Sequence, residues 1–158
     1  MSETMTLYKL IILYMLDKVD FPLTNAQISE FILDKGYTNY FKLQQALSEL
    51  ADAELIREET THSRTLYHLT GDGAQSIQYF RNKISRPIQE DIDNFLRDKK
   101  YELKNEVSVK ADYFKNTAGE YSVQCQVLEN QEPLIELTLS VPTVGEAESV
   151  IAKKKKKN

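Results

Sequence analysis

One cysteine and two histidines are all the thiol and imidazole that 158 residues supply for soft-metal and redox sites. The lone Cys125 cannot close an internal disulfide, which excludes a disulfide scaffold and suits a reducing cytoplasm. It falls on the apolar side of an alternating segment, so it reads as an inert core thiol. His62 and His68 lie six positions apart with no thiol or carboxylate spacing that would complete a zinc site. Long apolar runs are missing too. The longest, residues 10–16, has seven residues, against the ~20 that cross a bilayer. No charged segment followed by a cleavable apolar stretch marks a secretory leader. The expected location is cytoplasmic, with no membrane partner. There is also no glycine-rich phosphate cradle, no Cys-x-x-Cys and no His-Glu-x-x-His. Gly71-Asp72-Gly73 is a turn into a helix. Without a catalytic constellation, the expectation is a protein that is not an enzyme and needs no cofactor.

Net positive charge is scarce, which bears on nucleic-acid binding. Residues 1–85 carry eight Lys/Arg against eleven Asp/Glu, and residues 86–152 carry seven against thirteen. The five lysines at 153–157 bring the chain to its net charge of −4. Affinity for DNA comes largely from neutralising phosphates, so any basic patch must be local.

What is present is an ordinary globular composition, 41% apolar and 28% charged, enough for one compact domain or two small ones. Residues 5–18 read as a helix with two apolar stripes, Leu7, Leu10, Ile11 and Tyr14 on one and Tyr8, Ile12 and Met15 on the other. A helix with one wet side does not need two stripes. The second is expected to pack on the C-terminal half of the chain or on another subunit. Pro22 breaks this helix. Thr24 or Asn25 then caps a second one carrying Ile28, Phe31 and Ile32, which Lys35-Gly36 ends with a left-handed glycine.

Residues 38–73 organise the rest. Thr38 or Asn39 caps a helix whose Leu43, Ala46, Leu47 and Leu50 repeat at the three- and four-residue spacing of a packed face. Two short strands follow, around residues 55–60 and 65–69, joined by the polar tip 61–64, which reads as mobile. The segment ALSELADAELI, followed by RTLYHLT-x-x-G, resembles the recognition helix and wing of bacterial winged helix-turn-helix regulators of the MarR and PadR kinds. From residue 5 to about 142 the chain is also similar to a small bacterial winged-helix family with a C-terminal α+β extension. The resemblance implies a winged helix-turn-helix and double-stranded DNA as partner. The recognition-helix residues expected at DNA are Asn39, Tyr40, Lys42, Gln44, Gln45 and Ser48, since Asn and Gln match adenine edges and Lys42 and Tyr40 suit guanine or phosphate. Arg57 and Arg64 would add backbone or minor-groove contacts, although Arg64 also fits a solvated turn. Glu49 would repel phosphate there and is expected to turn toward another side chain. Such wings usually have glycine before the Leu-Ile that opens them. This chain has Glu54, at a cost of roughly 1 kcal/mol if its φ is positive.

Residues 72–84 read as a fourth helix and 86–98 as its restart after Pro87, serving either pairing or packing under a sheet. Residues 101–141 alternate apolar and polar as three strands of an antiparallel meander, with turns at 116–119 and 129–133. Its apolar face needs a cover, for which 86–98 and a short helix from Val144 to about Lys153 are available. The expected fold is thus α+β, a winged helix-turn-helix followed by a helix and a three-stranded antiparallel sheet covered by helices. The divisions are 1–84, 85–152 and a lysine-rich tail at 153–158. The function expected is sequence-specific DNA binding by a homodimeric transcriptional regulator, with an effector possible at the C-terminal domain. The alternative is a winged-helix protein-interaction module that does not bind DNA.

Overall fold

The computed structural model describes residues 3–129 and 132–156. Among these the chain is mixed α+β, with six α-helices and two three-stranded antiparallel sheets. They divide into two compact units. Unit 1 comprises Met1–Glu59 and Thr65–Leu103, and unit 2 comprises Thr60–Arg64 and Lys104–Asn158.

Unit 1 is built around α1 (Glu3–Asp17). All seven residues from Leu10 to Leu16 are buried, because α3 (Tyr40–Asp52), α4 (Gly71–Phe80) and β3 (Thr65–Leu69) pack around it. Tyr14 on its other side donates to Asp93 at 2.8 Å. Both stripes are therefore covered within unit 1 along this run, which leaves no second stripe there for another subunit. Burial, and then the bond to Asp93, hold the Tyr14 phenol well above its ordinary pKa, so it stays a donor.

The helix α2 (Asn25–Asp34) opens with a capping box. Thr24 accepts from the Gln27 amide N–H while the Gln27 side chain accepts from the Thr24 N–H. Leu23–Thr24 form β1, which pairs with β3 through Leu23–Tyr67 and Thr24–Leu66. Sequence patterning offers no view of a two-residue strand. Here β3 supplies the partner. With β2 (Ile56–Thr60) the sheet order is β1–β3–β2.

Two successive helices end in the same motif. Past α2, Tyr37 N–H donates to Ile32 O and Gly36 N–H to Leu33 O. Past α3, Leu55 N–H donates to Leu50 O and Glu54 N–H to Ala51 O. Each is a Schellman closure, which needs a left-handed residue one past the cap. Gly36 takes it at φ 70° and Glu54 at φ 62°, as expected for the position where glycine was missing. Glu54→Gly should raise unfolding free energy by about 1 kcal/mol, and Gly36→Ala should lower it by a similar amount. Urea titration of both variants checks the pair.

The helix α5 (Arg86–Ser108) runs through 108 without a break. The expectation of a strand from residue 101 is therefore corrected, and β4 begins only at Val109. Leu103 and Val107 fit an alternating strand, but they also continue Ile92 and Leu96 at helical spacing, and all four are buried. The first part of α5 belongs to unit 1, not to a C-terminal half. Phe95 packs on Phe31 with ring centroids 4.9 Å apart, Asp91 accepts from Tyr37 at 2.7 Å, and Gln27 donates to Leu103 O at 3.3 Å.

In unit 2, β4 (Val109–Lys115), β5 (Tyr121–Glu129) and β6 (Glu132–Val141) form a meander in that order. The register sets Ala111 opposite Cys125 and Cys125 opposite Leu137. Thr143 caps α6 (Val144–Lys156), whose Ala147 and Ile151 bury Ala111, Val123 and Cys125. Within unit 2 the cover of the apolar face is α6. Cys125 is buried in this core as expected. Asn130 and Gln131 of the second turn, and the side chains of the tail at 153–158, lie outside the described residues.

Candidate nucleic-acid interface

The helix α3 presents a defined outward face because its inward one is fixed. With Leu43, Ala46, Leu47 and Leu50 at 0–1% exposure, a 100° step per residue puts Phe41, Gln45, Ser48 and Asp52 on the opposite line. All four are exposed. Lys42 and Glu49 flank this line on one side and Gln44 on the other.

The eight expected residues divide by what they do here. Asn39 is the N-cap, its Oδ1 accepting from Lys42 N–H at 2.9 Å, so its side chain is engaged in holding the helix start. Tyr40 is 53% exposed and stands edge-on to Phe41, with centroids 6.0 Å apart. Lys42 is exposed beside them, and no acidic residue stands in the first turn to offset the positive end of the helix dipole. Gln44 is turned away from the outward line. Its amide and that of Asn25 bond reciprocally at 2.8 and 3.0 Å, and Asn25 also donates to Tyr67 Oη at 3.1 Å. That amide pair ties α2, α3 and β3 together. Gln45 and Ser48 lie on the outward line, with Gln45 donating to Glu49 at 2.9 Å. Arg57 is exposed on β2.

Arg64 and the hairpin tip have partners of their own. The segment closes on itself, Thr61 N–H donating to Arg64 O at 2.9 Å. It also packs within unit 2. The Arg64 guanidinium donates to the carbonyls of Glu106 and Val109, the latter at 2.7 Å. His62 stacks on Tyr113 at 4.1 Å and bonds to Asp112. Burial alone would raise the Asp112 carboxyl, but the bonds from His62 and from the Tyr113 N–H outweigh it and hold it below the usual range. Arg64 is thus committed to two carbonyls, and a phosphate would have to displace them. His68 pairs with Glu59 at 2.8 Å. Among the described residues no group of three or more His, Cys, Asp or Glu is placed to hold a metal ion.

Glu49 does turn toward other side chains, accepting from Lys9 Nζ at 2.8 Å and from Gln45. The Lys9 bond, then the Gln45 bond, lower its pKa. The pair removes one negative charge from the flank of α3 and one positive charge with it. The residue that sequence reasoning missed is Phe41, 82% exposed at the N-terminal end of the outward line. The signal was available, since Phe41 is an aromatic residue standing off the Leu43–Leu47–Leu50 stripe.

Residues 8–158 match the family model described as a domain of unknown function, DUF4364. The chain belongs to that family. No curated protein and no solved structure matches it. No helix among the described residues is long and apolar enough to cross a membrane.

Proposed function

We propose that α2, α3 and the β2–β3 hairpin form a winged helix-turn-helix, and that the protein is a sequence-specific double-stranded DNA binder, a transcriptional regulator acting as a homodimer. The observation that carries this is the outward face of α3. It follows a short capped turn after α2, stands beside a two-stranded hairpin, and offers Tyr40, Lys42, Gln45 and Ser48 in the place where such a helix enters a major groove. Gln45 supplies an amide for adenine edges, while Lys42 and Arg57 supply phosphate or guanine contacts. Asn39 and Gln44 act by positioning the helix. Arg64 holds the hairpin tip, and the DNA contacts of the hairpin fall to Arg57. The role is one of binding, without catalysis.

Selection of bound fragments from random double-stranded DNA tests it. Enrichment of a palindrome is the expected result, its two halves reflecting a twofold dimer. No enriched sequence after repeated rounds at low salt would refute it.

One feature favours a second reading, a protein-interaction module. Phe41 and Tyr40 expose aromatic surface on a helix whose neighbours Asp52, Glu54 and Glu58 are acidic and exposed, and exposed aromatics are common anchors of protein interfaces. Phe41→Ala separates the two. A module that docks a protein loses its partner in this variant, whereas a DNA reader that loses little with Phe41→Ala and much with Lys42→Ala sits on phosphate.

A further inference from the structure

In unit 2, β6 is left open on its outer side. It is ten residues long and ends the order β4–β5–β6, so among the described residues no strand lies beyond it. Every residue from Glu132 to Ser140 is exposed. Ile135, Leu137 and Leu139 are 53%, 42% and 42% exposed, although they sit opposite Val127, Cys125 and Val123 on the apolar face. The reason is the reach of α6, which closes over Ala111, Val123 and Cys125 and leaves those three out of the core. Long apolar edge strands invite another strand, and proteins commonly guard them with lysines, proline or bulges. β6 carries no lysine or arginine. Its proline, Pro133, and its register shift both stand at its start, which leaves Glu136 as the one charge in the stretch from Ile135 to Val141.

We propose that this edge is a dimer interface, occupied by β6 of a second copy in antiparallel pairing, so that two three-stranded sheets become one of six strands. The strand itself argues for a second copy, because it complements itself. A twofold axis perpendicular to the sheet preserves the faces, and directly opposed residues share a face. Centred on Leu137, it sets Ile135 opposite Leu139, Leu137 opposite itself, Glu136 opposite Thr138 and Leu134 opposite Ser140. The apolar side chains then form one cross-strand cluster, and neither glutamate meets its own copy. Centred one residue earlier, the axis would place the two Glu136 carboxylates face to face, which like-charge repulsion disfavours. The interface rests on the homodimer of the preceding section and gives it a surface, and its test is run without DNA.

Light scattering of the full chain at tens of micromolar is expected to give twice the monomer mass. Leu137→Arg should give a monomer with an unchanged circular dichroism spectrum, since position 137 is exposed in the single chain. Leu137→Cys combined with Cys125→Ala, which removes the thiol directly opposite position 137 on β5, should form an interchain disulfide on mild oxidation, because directly opposed strand residues lie about 5 Å apart at Cα, within disulfide reach. A monomeric natural chain overturns the proposal and leaves the edge to some other partner. So does a Leu137→Arg protein that stays dimeric. If Leu137→Arg does not fold, the disulfide decides, and its absence is a refutation. A dimer cross-linked at 137 that selects no DNA would sink the regulator and leave this interface standing, whereas a monomer that selects DNA would do the reverse.

Discussion

Gly73→Ala should lower the unfolding free energy by about 3 kcal/mol, seen as a fall in the urea midpoint at unchanged slope. A Cβ at this position would lie 2.0 Å from the carbonyl oxygen of Leu55 and 2.8 Å from Leu69 Cδ1. The first of these is backbone, and it is already held. Thr70 donates to Leu55 O through both its N–H, at 3.2 Å, and its hydroxyl, at 2.9 Å. Thr70 Oγ1 in turn caps α4 by accepting from Gly73 N–H at 3.0 Å. The Thr-x-x-Gly run after β3 is therefore a docking device. The threonine fastens the start of α4 to the start of β2, and the absent side chain of Gly73 lets the two backbones touch. Relief requires moving α4 or Leu55, and α4 packs on α1 at the centre of unit 1. Gly71→Ala is the control, with nothing within 4 Å of its added carbon, and should stay within about 0.5 kcal/mol of the natural protein. Equal stability of the two variants would mean that the contact at Leu55 is not there.

The second large effect concerns salt. If α3 and β2 engage DNA through about four phosphate contacts, the log–log slope of affinity on salt is near −3.6, and affinity falls roughly 150-fold between about 50 and about 200 mM. Lys42→Ala should then reduce the slope by about 0.9, the share of one phosphate. Arg57→Ala should do the same if its contact is to the backbone. Arg64→Ala is expected to act differently. Its guanidinium bonds two carbonyls of unit 2, so its loss should reduce stability by about 1–2 kcal/mol with the salt slope unchanged. Fluorescence anisotropy across a salt series measures all three variants. A flat salt response for the natural chain would leave electrostatic DNA recognition without support.

How far the molecule was legible in its sequence depended on periodicity. The inward face of α3 was readable because four apolar residues keep a helical interval, and the outward line follows from it by rotation. The capping sites at Thr24 or Asn25 and at Thr38 or Asn39, and the left-handed turn at Gly36, were readable from residue type, and the structure uses Thr24 and Asn39. The extension of α5 was not, because Leu103 and Val107 satisfy the helical and the alternating period alike, and the choice fell to packing. β1 was invisible for want of length. Of the candidate site, Lys42, Gln45, Ser48 and Arg57 stand exposed. The fate of Gln44 hung on Asn25, nineteen residues away, and that of Arg64 on carbonyls 42 and 45 residues away. Polar side chains that choose distant backbone partners leave no local pattern. Phe41 left one, by standing off the stripe.

The hairpin tip has a consequence for how the chain can assemble. Unit 2 is discontinuous, since its meander and α6 are contiguous while Thr60–Arg64 arrive from the other side of α5. The bonds that seat the tip span 42 to 50 residues, whereas β4, β5 and β6 find one another across short turns. Closing the longer loop costs chain entropy before any of its contacts repay it. The meander can therefore form early and locally, with the tip seated late, once β2 and β3 have paired. A polypeptide cut after Leu103 would keep every strand of the second sheet and still lack five residues of its own unit, leaving Tyr113 without its stacked ring and Asp112 without its imidazole partner.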